Sequence, residues 1–211
     1  MNLKLYSMKG VKVPLDFAED YILENELVKL IPLNGKHLTP LAQISEDPEI
    51  WKFFFCDGSD AESLKKYIKK AVKNRSKSKE YPFVVFDKRT NQYAGTTRFY
   101  EYSQDLKTIK LGHTWYGKTF RGSGLNKQCK NLLFEFAFEK LQVERVGFGA
   151  YADNLVSIKA LESVGCKKEG VLRNMFPSLN GIGRTDAILM SILREDWFAI
   201  IKPELSFKMT V

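Results

Sequence analysis

The order of hydrophobic patterns predicts an α+β fold in one domain. Three observations carry the prediction: two strand-like runs, PFVVF and QYAGTTRFYEY, joined by a polar turn; a long apolar-striped helix that opens at the glycine-rich loop FRGSGLN; and two later strands, at 143–151 and 186–193, with a short helix between them. With 211 residues, 44% hydrophobic and 13% aromatic, the chain is long enough for one sizeable core, and no internal repeat or linker divides it.

The elements follow in order. Residues 1–25 have weak periodicity and read as an N-terminal extension packed on a domain of residues 26–200, with 201–211 as a C-terminal tail. ELVKLIPL at 26–33 alternates and predicts the first true strand. Thr39-Pro40 predicts a helix start, the hydroxyl as cap and the proline in the first helical position, with Leu41 and Ile44 on the buried face. Ser59 and Glu62 have the spacing of a reciprocal cap ahead of Leu64, Tyr67, Ile68, Ala71 and Val72, whose spacing by threes and fours predicts a second amphipathic helix. The basic stretch up to Glu80 ends it. Asp87 to Asn91 then turns the antiparallel hairpin, and IKLGHTWY at 109–116 is the next strand. The helix after FRGSGLN runs to about Lys140, with Leu125, Cys129, Leu132, Leu133, Phe136 and Ala137 in one stripe that Phe134 and Phe138 widen. VERVGFGAY is a strand with Gly147 and Gly149 on one face; Asp153 or Asn154 caps a helix that stops at Gly165. The segment CKKEGVLR, a glycine-rich loop at 180–183, the buried-looking strand DAILMSIL and then REDWFAIIKPEL complete the domain.

Composition removes several function classes. No run approaches the ~18 apolar residues of a membrane helix, and Lys4, Lys9 and Lys12 interrupt the N-terminus, so a soluble cytoplasmic protein without membrane contact is expected. Cys56, Cys129 and Cys166 are odd in number and far apart, and the chain has two histidines, which supports neither a disulfide framework nor a metal site. The net charge of +8 is spread, with one denser run at 65–79 that reads as a solvated helix face and loop; direct nucleic-acid binding is not expected.

FRGSGLN is the sharpest motif. It lacks the Gly-Lys-Ser/Thr of a nucleotide-hydrolysing loop, and Lys127 stands where a dinucleotide fingerprint needs its third glycine. Two readings stay open from the residues alone. The glycines either make a tight strand-to-helix turn, or they let backbone N–H groups converge at a helix start and hold a phosphate, with Lys118, Arg121 and Lys127 around it.

Further signatures follow the loop in order: FEFAFEKLQVERV, Asn154-Leu-Val-Ser157, Ala160-Leu-Glu162, Val164-Gly165, Glu169-Gly-Val-Leu-Arg173, and Gly183-Arg-Thr-Asp186 leading to SILREDW. With Arg121-Gly-Ser-Gly124 they resemble the GNAT superfamily of acyl-CoA N-acyltransferases, in the branch that acetylates ribosomal-protein N-termini, over about Leu27 to Trp197. The resemblance implies a mixed, mostly antiparallel central sheet with helices on both faces. It implies acetyl-CoA as cosubstrate, no metal, and an amine acceptor that is a protein N-terminus or a small amine. By the same resemblance the coenzyme pyrophosphate would lie on Arg121, Gly122, Ser123, Gly124, Leu125 and Asn126. The pantetheine arm would pass Trp115, Tyr116 and Gly117 where the strands at 109–116 and 143–151 splay apart. A backbone N–H near 114–116 would polarise the thioester carbonyl. Asn154 matches the family's arm-binding asparagine and Ser157 the hydroxyl near the sulfur, although locally Asn154 reads equally as a helix cap and Ser157 as a backbone-bonded serine of the first turn. The tyrosine that many relatives use as acid would fall near Leu161.

The proton acceptor is where the chain departs from that pattern. The family's glutamate position is Lys110, and the ribosomal branch's acidic position is Phe176. Glu101, His113 and Asp186 remain candidates by residue type, against readings as hairpin surface, strand packing and a partner of Arg184. Two further functions stay open: acetylation of a free amino acid, polyamine or antibiotic amine, and a coenzyme A sensor without turnover. A monomer and a homodimer are both compatible with the sequence.

Overall fold

The computed structural model describes residues 14–210, with side chains to residue 207. Eight strands form one sheet: β1 (Leu23–Glu24), β2 (Val28–Pro32), β3 (Glu80–Asp87), β4 (Gln92–Ser103), β5 (Thr108–Tyr116), β6 (Arg145–Tyr151), β7 (Lys167–Pro177) and β8 (Arg184–Leu193). Their spatial order is β1-β2-β3-β4-β5-β6-β8-β7, and every neighbouring pair is antiparallel except β5 and β6. Alternation along the strands divides the apolar side chains between two cores. In β3, Phe83 and Val85 face one core while Val84 faces the other.

Helices α1 (Leu38–Ser45) and α2 (Ala61–Arg75) cover one face, packing Leu41, Leu64, Tyr67, Ile68 and Ala71 against Val84 and Trp115. Helix α3 (Leu125–Glu135) covers the other, with Leu125, Cys129, Leu133 and Phe134 buried among Leu30, Phe99, Val146 and Met190. Helix α4 (Leu155–Glu162) follows β6, and a terminal helical segment comprises α5 (Arg194–Asp196), a π turn at Trp197–Ile201 and α6 (Lys202–Thr210). Trp197 and Leu205 bury against the α3 side. Of the N-terminal extension, residues 1–13 lie outside the described residues. Leu15 and Tyr21 are buried in the α3-side core, and Arg75 binds the carbonyls of Phe17 and Glu19.

Three sequence expectations shift. The first helix does not start at Thr39-Pro40: Asn34 caps a 3-10 turn at Gly35–His37, with His37 closing the reciprocal bond, and the chain runs straight on into α1. Helix α2 is capped by Asp60 rather than Ser59, because the Asp60 carboxylate reaches the N–H groups of both Glu62 and Ser63 at 2.9 Å and a carboxylate is the better partner for the helix dipole. CKKEGVLR is strand rather than a connecting segment. As the sheet's edge, β7 exposes most of its side chains, so no apolar alternation marks it in the sequence.

The strand that positions the site is β5. Ile109 and Leu111 face the α3-side core, and strict alternation would send Trp115 there too. Trp115 instead enters the opposite core, against Trp51 at 5.4 Å. Between the pairs Arg98–Gly112 and Thr96–Trp115, one residue of β4 (Thr97) opposes two of β5 (His113 and Thr114). That is a β-bulge, and His113 carries its left-handed backbone, φ +49°.

Candidate functional site

At the bulge β5 and β6 part company. Their parallel pairing covers Thr108–Arg145, Ile109–Val146 and Lys110–Gly147 and then stops, while β6 stays paired with β8 up to Tyr151 and β5 with β4 up to Tyr116. The result is a wedge-shaped gap in the sheet. Gly117 N–H donates to the Ala94 carbonyl at 2.9 Å, so one residue earlier the antiparallel ladder turns the Tyr116 N–H and carbonyl to the opposite edge, the one that β6 has left. There the Tyr116 carbonyl accepts from Arg121 Nε at 3.1 Å.

The glycine-rich loop sits at the same end of β5. Gly122 and Gly124 have φ of +74° and +81°, and a Cβ at either would meet nothing within 4 Å, so backbone conformation and not crowding requires glycine. Gly124 is the N-cap of α3 and offers no side-chain cap; the first helical bonds run from Lys127 and Gln128 N–H to its carbonyl. The N–H groups of residues 122–126 therefore have no acceptor among the described residues. A run of free donors on a helix dipole is an anion cradle. The loop is also braced. Ser123 Oγ donates to the Phe120 carbonyl at 2.7 Å, and Arg89 Nη1 donates to the Ser123 carbonyl at 2.9 Å while buried Asp87 grips the same guanidinium. Sequence reading took Asp87 to Asn91 as a hairpin turn only; a short-range Asp-x-Arg spacing carries no sign of a loop 34 positions away.

The candidate residues fall into two groups. Gly122, Ser123, Gly124, Leu125 and Asn126 form the cradle, with Leu125 anchoring it in the core and Asn126 accepting from the Tyr116 hydroxyl at 3.4 Å. Arg121 faces Asp47 at 3.0 Å as well as Tyr116, so its guanidinium braces the turn. Gly117 admits Ile44, whose Cβ would lie 2.8 Å from an added Cβ. Trp115 turns its side chain to the α1–α2 face, so only its backbone borders the gap. Across from β5, Asn154 caps α4 by accepting the Ser157 N–H at 3.0 Å, which leaves its amide NH2 and the Ser157 hydroxyl without partners among the described residues.

The catalytic candidates separate. Glu101 pairs with Lys110 at 2.6 Å on the open surface, Asp186 accepts the Asn174 N–H at 2.8 Å, and neither carboxylate is free. His113 stands on the other mouth of the gap between Tyr100 and Phe54, with ring centroids 5.4 and 6.3 Å away. One edge of its ring reaches solvent, yet burial among these rings, then the Arg98 and Lys70 cations, push the imidazole down to about 4 against the pull of Glu80. It is neutral at pH 7 and a weak base. Glu80 is held by Arg98 at 2.7 Å. Around this mouth the segment WKFFFC folds over the sheet: Phe53 and Phe55 meet Tyr151 at 5.6 and 6.0 Å, and Phe176 stacks on Tyr151 at 4.4 Å. Among the described residues no group of three His, Cys, Asp or Glu side chains is placed to hold a metal, and no helix is long and apolar enough to cross a membrane.

The GNAT acetyltransferase domain family matches residues 28–167, a span that holds the bulge, the gap and the loop. The chain is 28% identical over 136 residues to "Probable N-acetyltransferase YjcK" of Bacillus subtilis, covering 64% of this chain and 74% of the relative. It is also 28% identical over 103 residues to "Putative ribosomal N-acetyltransferase YdaF" of Bacillus subtilis, covering 49% of this chain and 55% of that one. The crystal structure of an acetyltransferase from T. thermophilus superimposes with a TM-score of 0.78 at 28% identity, covering 89% of this chain and 96% of its own. With the parted parallel pair and the free N–H cradle in the places where that fold keeps them, the chain belongs to the GNAT family of N-acetyltransferases, whose acyl donor is acetyl-CoA.

Proposed function

We propose that acetyl-CoA binds with its pyrophosphate on the free N–H groups of residues 122–126 and its arm in the gap between β5 and β6, and that the acceptor is the α-amine of a protein. The observation that carries the acceptor reading is the absence of an uncommitted base. Glu101, Glu80 and Asp186 are each engaged, and His113 is a weak base. At pH 7 an α-amine of pKa near 7.8 is on the order of 10% neutral, and a lysine amine near 10.4 about 0.04% neutral. The factor of a few hundred corresponds to roughly 3.5 kcal/mol that a lysine acetyltransferase must supply with a base and an α-amine acetyltransferase need not. Similarity to a relative named as a ribosomal N-acetyltransferase supports a ribosomal protein as the acceptor, and the exposed lysines of α2 suit a neighbour rich in phosphate. The cytoplasm, where acetyl-CoA and new N-termini meet, is the matching compartment.

In this reading the neutral amine attacks the thioester carbonyl from the His113 mouth, between the aromatic rings. The Tyr116 N–H, free at the parted edge, stabilises the oxyanion; one such donor is worth ~2.7–4 kcal/mol. The Asn154 amide would donate to the pantetheine arm, and the Ser157 hydroxyl would approach the sulfur. The test measures thiol release from acetyl-CoA with peptides bearing a free α-amine, Nα-blocked peptides bearing lysine, and small amines. Turnover is expected with the first set, with kcat/KM rising along the acceptor's own titration and the same rise in Glu101→Gln and His113→Gln. Turnover confined to lysine or small amines, or a basic limb lost in either variant, overturns the reading. Coenzyme binding without turnover on any amine would instead make the chain a sensor.

A further inference from the structure

Lys130 is the buried cation that the reaction so far leaves unused. It lies in the second turn of α3, is 4% exposed, and has no carboxylate partner among the described residues. Its Nζ donates to Thr114 Oγ1 at 3.4 Å, and Thr114 is a bulge residue of β5 whose hydroxyl also lies 2.8 Å from that of Thr97. The same Nζ sits 5.5 Å from the ring centroid of Phe148, the first residue of β6 beyond the last pair with β5. One ammonium thus touches both strands at the point where they separate. It is the floor of the gap.

The groups that face it do not neutralise it. From α3 itself comes the Cys129 thiol, and from the segment between α4 and β7 comes Cys166; burial pushes both up to about 12, so both are uncharged. Thr114 of β5 and Phe148 of β6 carry no charge. A buried ammonium without a counter-ion is held against the preference of its surroundings, and burial lowers Lys130 to about 8. A site that keeps a cation in this condition is built for an anion that arrives from outside.

We propose that Lys130 is a catalytic residue that stabilises and protonates the coenzyme A thiolate as it leaves. This rests on the placement of the thioester in the gap. As the acceptor nitrogen bonds to the acetyl carbon, the carbon–sulfur bond breaks and the sulfur keeps the electron pair. The sulfur takes a proton from Lys130 Nζ, the acceptor nitrogen releases its extra proton to water, and Lys130 regains a proton from solvent when the product leaves. The net products are amide and thiol. The role stands where relatives place a tyrosine near Leu161, a position that here has no acid.

The test needs no acceptor. The thiol of coenzyme A bound to the full chain is titrated by its thiolate ultraviolet absorbance, in the wild type, Lys130→Met and Lys130→Arg, with affinity measured by calorimetry below the thiol's pKa. The expected result is a bound thiol that titrates about one unit or more below free coenzyme in the wild type, at or above the free value in Lys130→Met, and again below it in Lys130→Arg. Affinity for the protonated thiol should change by less than about threefold, since the charge acts on the thiolate. A wild-type thiol that titrates like free coenzyme, or the same depression in Lys130→Met, overturns the role of Lys130 and leaves the coenzyme site standing. No coenzyme binding by the wild type overturns the site and this inference with it. Lys130→Met is near in length and removes a buried charge, so its melting temperature should rise.

Discussion

The two mouths of the gap between β5 and β6 are built from different material. On the coenzyme side the working groups are backbone: the N–H groups of residues 122–126, two left-handed glycines and the Tyr116 N–H. On the acceptor side they are aromatic side chains from four separate segments, Phe53 and Phe55 before α2, Tyr100 of β4, Tyr151 of β6 and Phe176 of β7. A ligand of fixed geometry, a pyrophosphate, is met by groups whose positions the chain path itself determines. An acceptor that differs between relatives is met by side chains that substitution can change without disturbing that path.

The sharpest break of this contrast is Gly124→Val. At φ +81° a β-branched residue is strained by roughly 1–2 kcal/mol, and to relieve it the loop must turn its N–H groups. Loss of two charge-assisted bonds of ~1.5–3 kcal/mol each predicts a fall in coenzyme affinity of about two to four orders of magnitude. Because no atom lies within 4 Å of the added Cβ, the core is undisturbed. Calorimetry against coenzyme A, with circular dichroism as the control, checks both halves. Retained affinity in a folded variant would remove the cradle.

The same contrast explains what could be read in the sequence. FRGSGLN was legible because backbone chemistry leaves a glycine spacing in the chain, and the apolar stripe of α3 because Leu125, Cys129 and Leu133 recur on one face. The bulge was not legible. IKLGHTWY looks like an unbroken alternating strand, and only the entry of Trp115 into the Trp51 core shows that His113 and Thr114 share one partner. The brace from Arg89 to Ser123 and the aromatic mouth are contacts between distant segments, which leave no local pattern. Lys130 was hidden for a different reason. A lysine six positions into a helix reads as solvated unless the fold reveals the gap above it.

Lys130 yields the next largest effect, on stability. Its ordinary pKa near 10.4 is lowered to about 8 in the folded chain, on the order of 3 kcal/mol of differential cost. The sign follows from proton counts: between pH 8 and 10 the unfolded chain binds more protons at this group, so its contribution to stability rises with pH across that window. Below about pH 8 the full cost is present. Denaturant titrations at pH 7 and 10 should show a gain for the wild type that is smaller in Lys130→Met, and an equal gain in both would place the lysine in a better-solvated setting than its burial implies.

On the acceptor side the effects are smaller and fall on a different constant. Phe176→Ala removes the ring stacked at 4.4 Å on Tyr151 and in contact with Phe55, and aromatic pairs contribute about 0.5–1.5 kcal/mol each. A rise in acceptor KM of up to about tenfold, with coenzyme affinity unchanged, is expected. Equal losses on both ligands would merge the two mouths into one site and dissolve the contrast.

The smallest effect lies in the wall behind the gap. Glu169 of β7 accepts from the Arg145 guanidinium of β6 and, at 2.6 Å, from the Ser191 hydroxyl of β8, so one carboxylate ties three strands on the side that keeps its pairing. Arg145 first, then burial opposed by the Ser191 bond, hold its carboxyl down at about 2. A depressed carboxylate pKa contributes stability above the ordinary value of ~4.3, and that contribution is lost as pH falls through about 2. Both side chains are about one-third exposed, at 34% and 35%, so solvent screening cuts the contribution to ~0.5–1 kcal/mol. Glu169→Gln keeps the hydroxyl bond and loses the ion pair. Its stability should converge on that of the wild type as pH falls from 5 towards 2, while coenzyme affinity at pH 7 stays within a factor of about two. A larger drop in affinity would mean that the gap depends on this strap to hold β6 in place, and the coenzyme mouth would then owe its geometry to side chains after all.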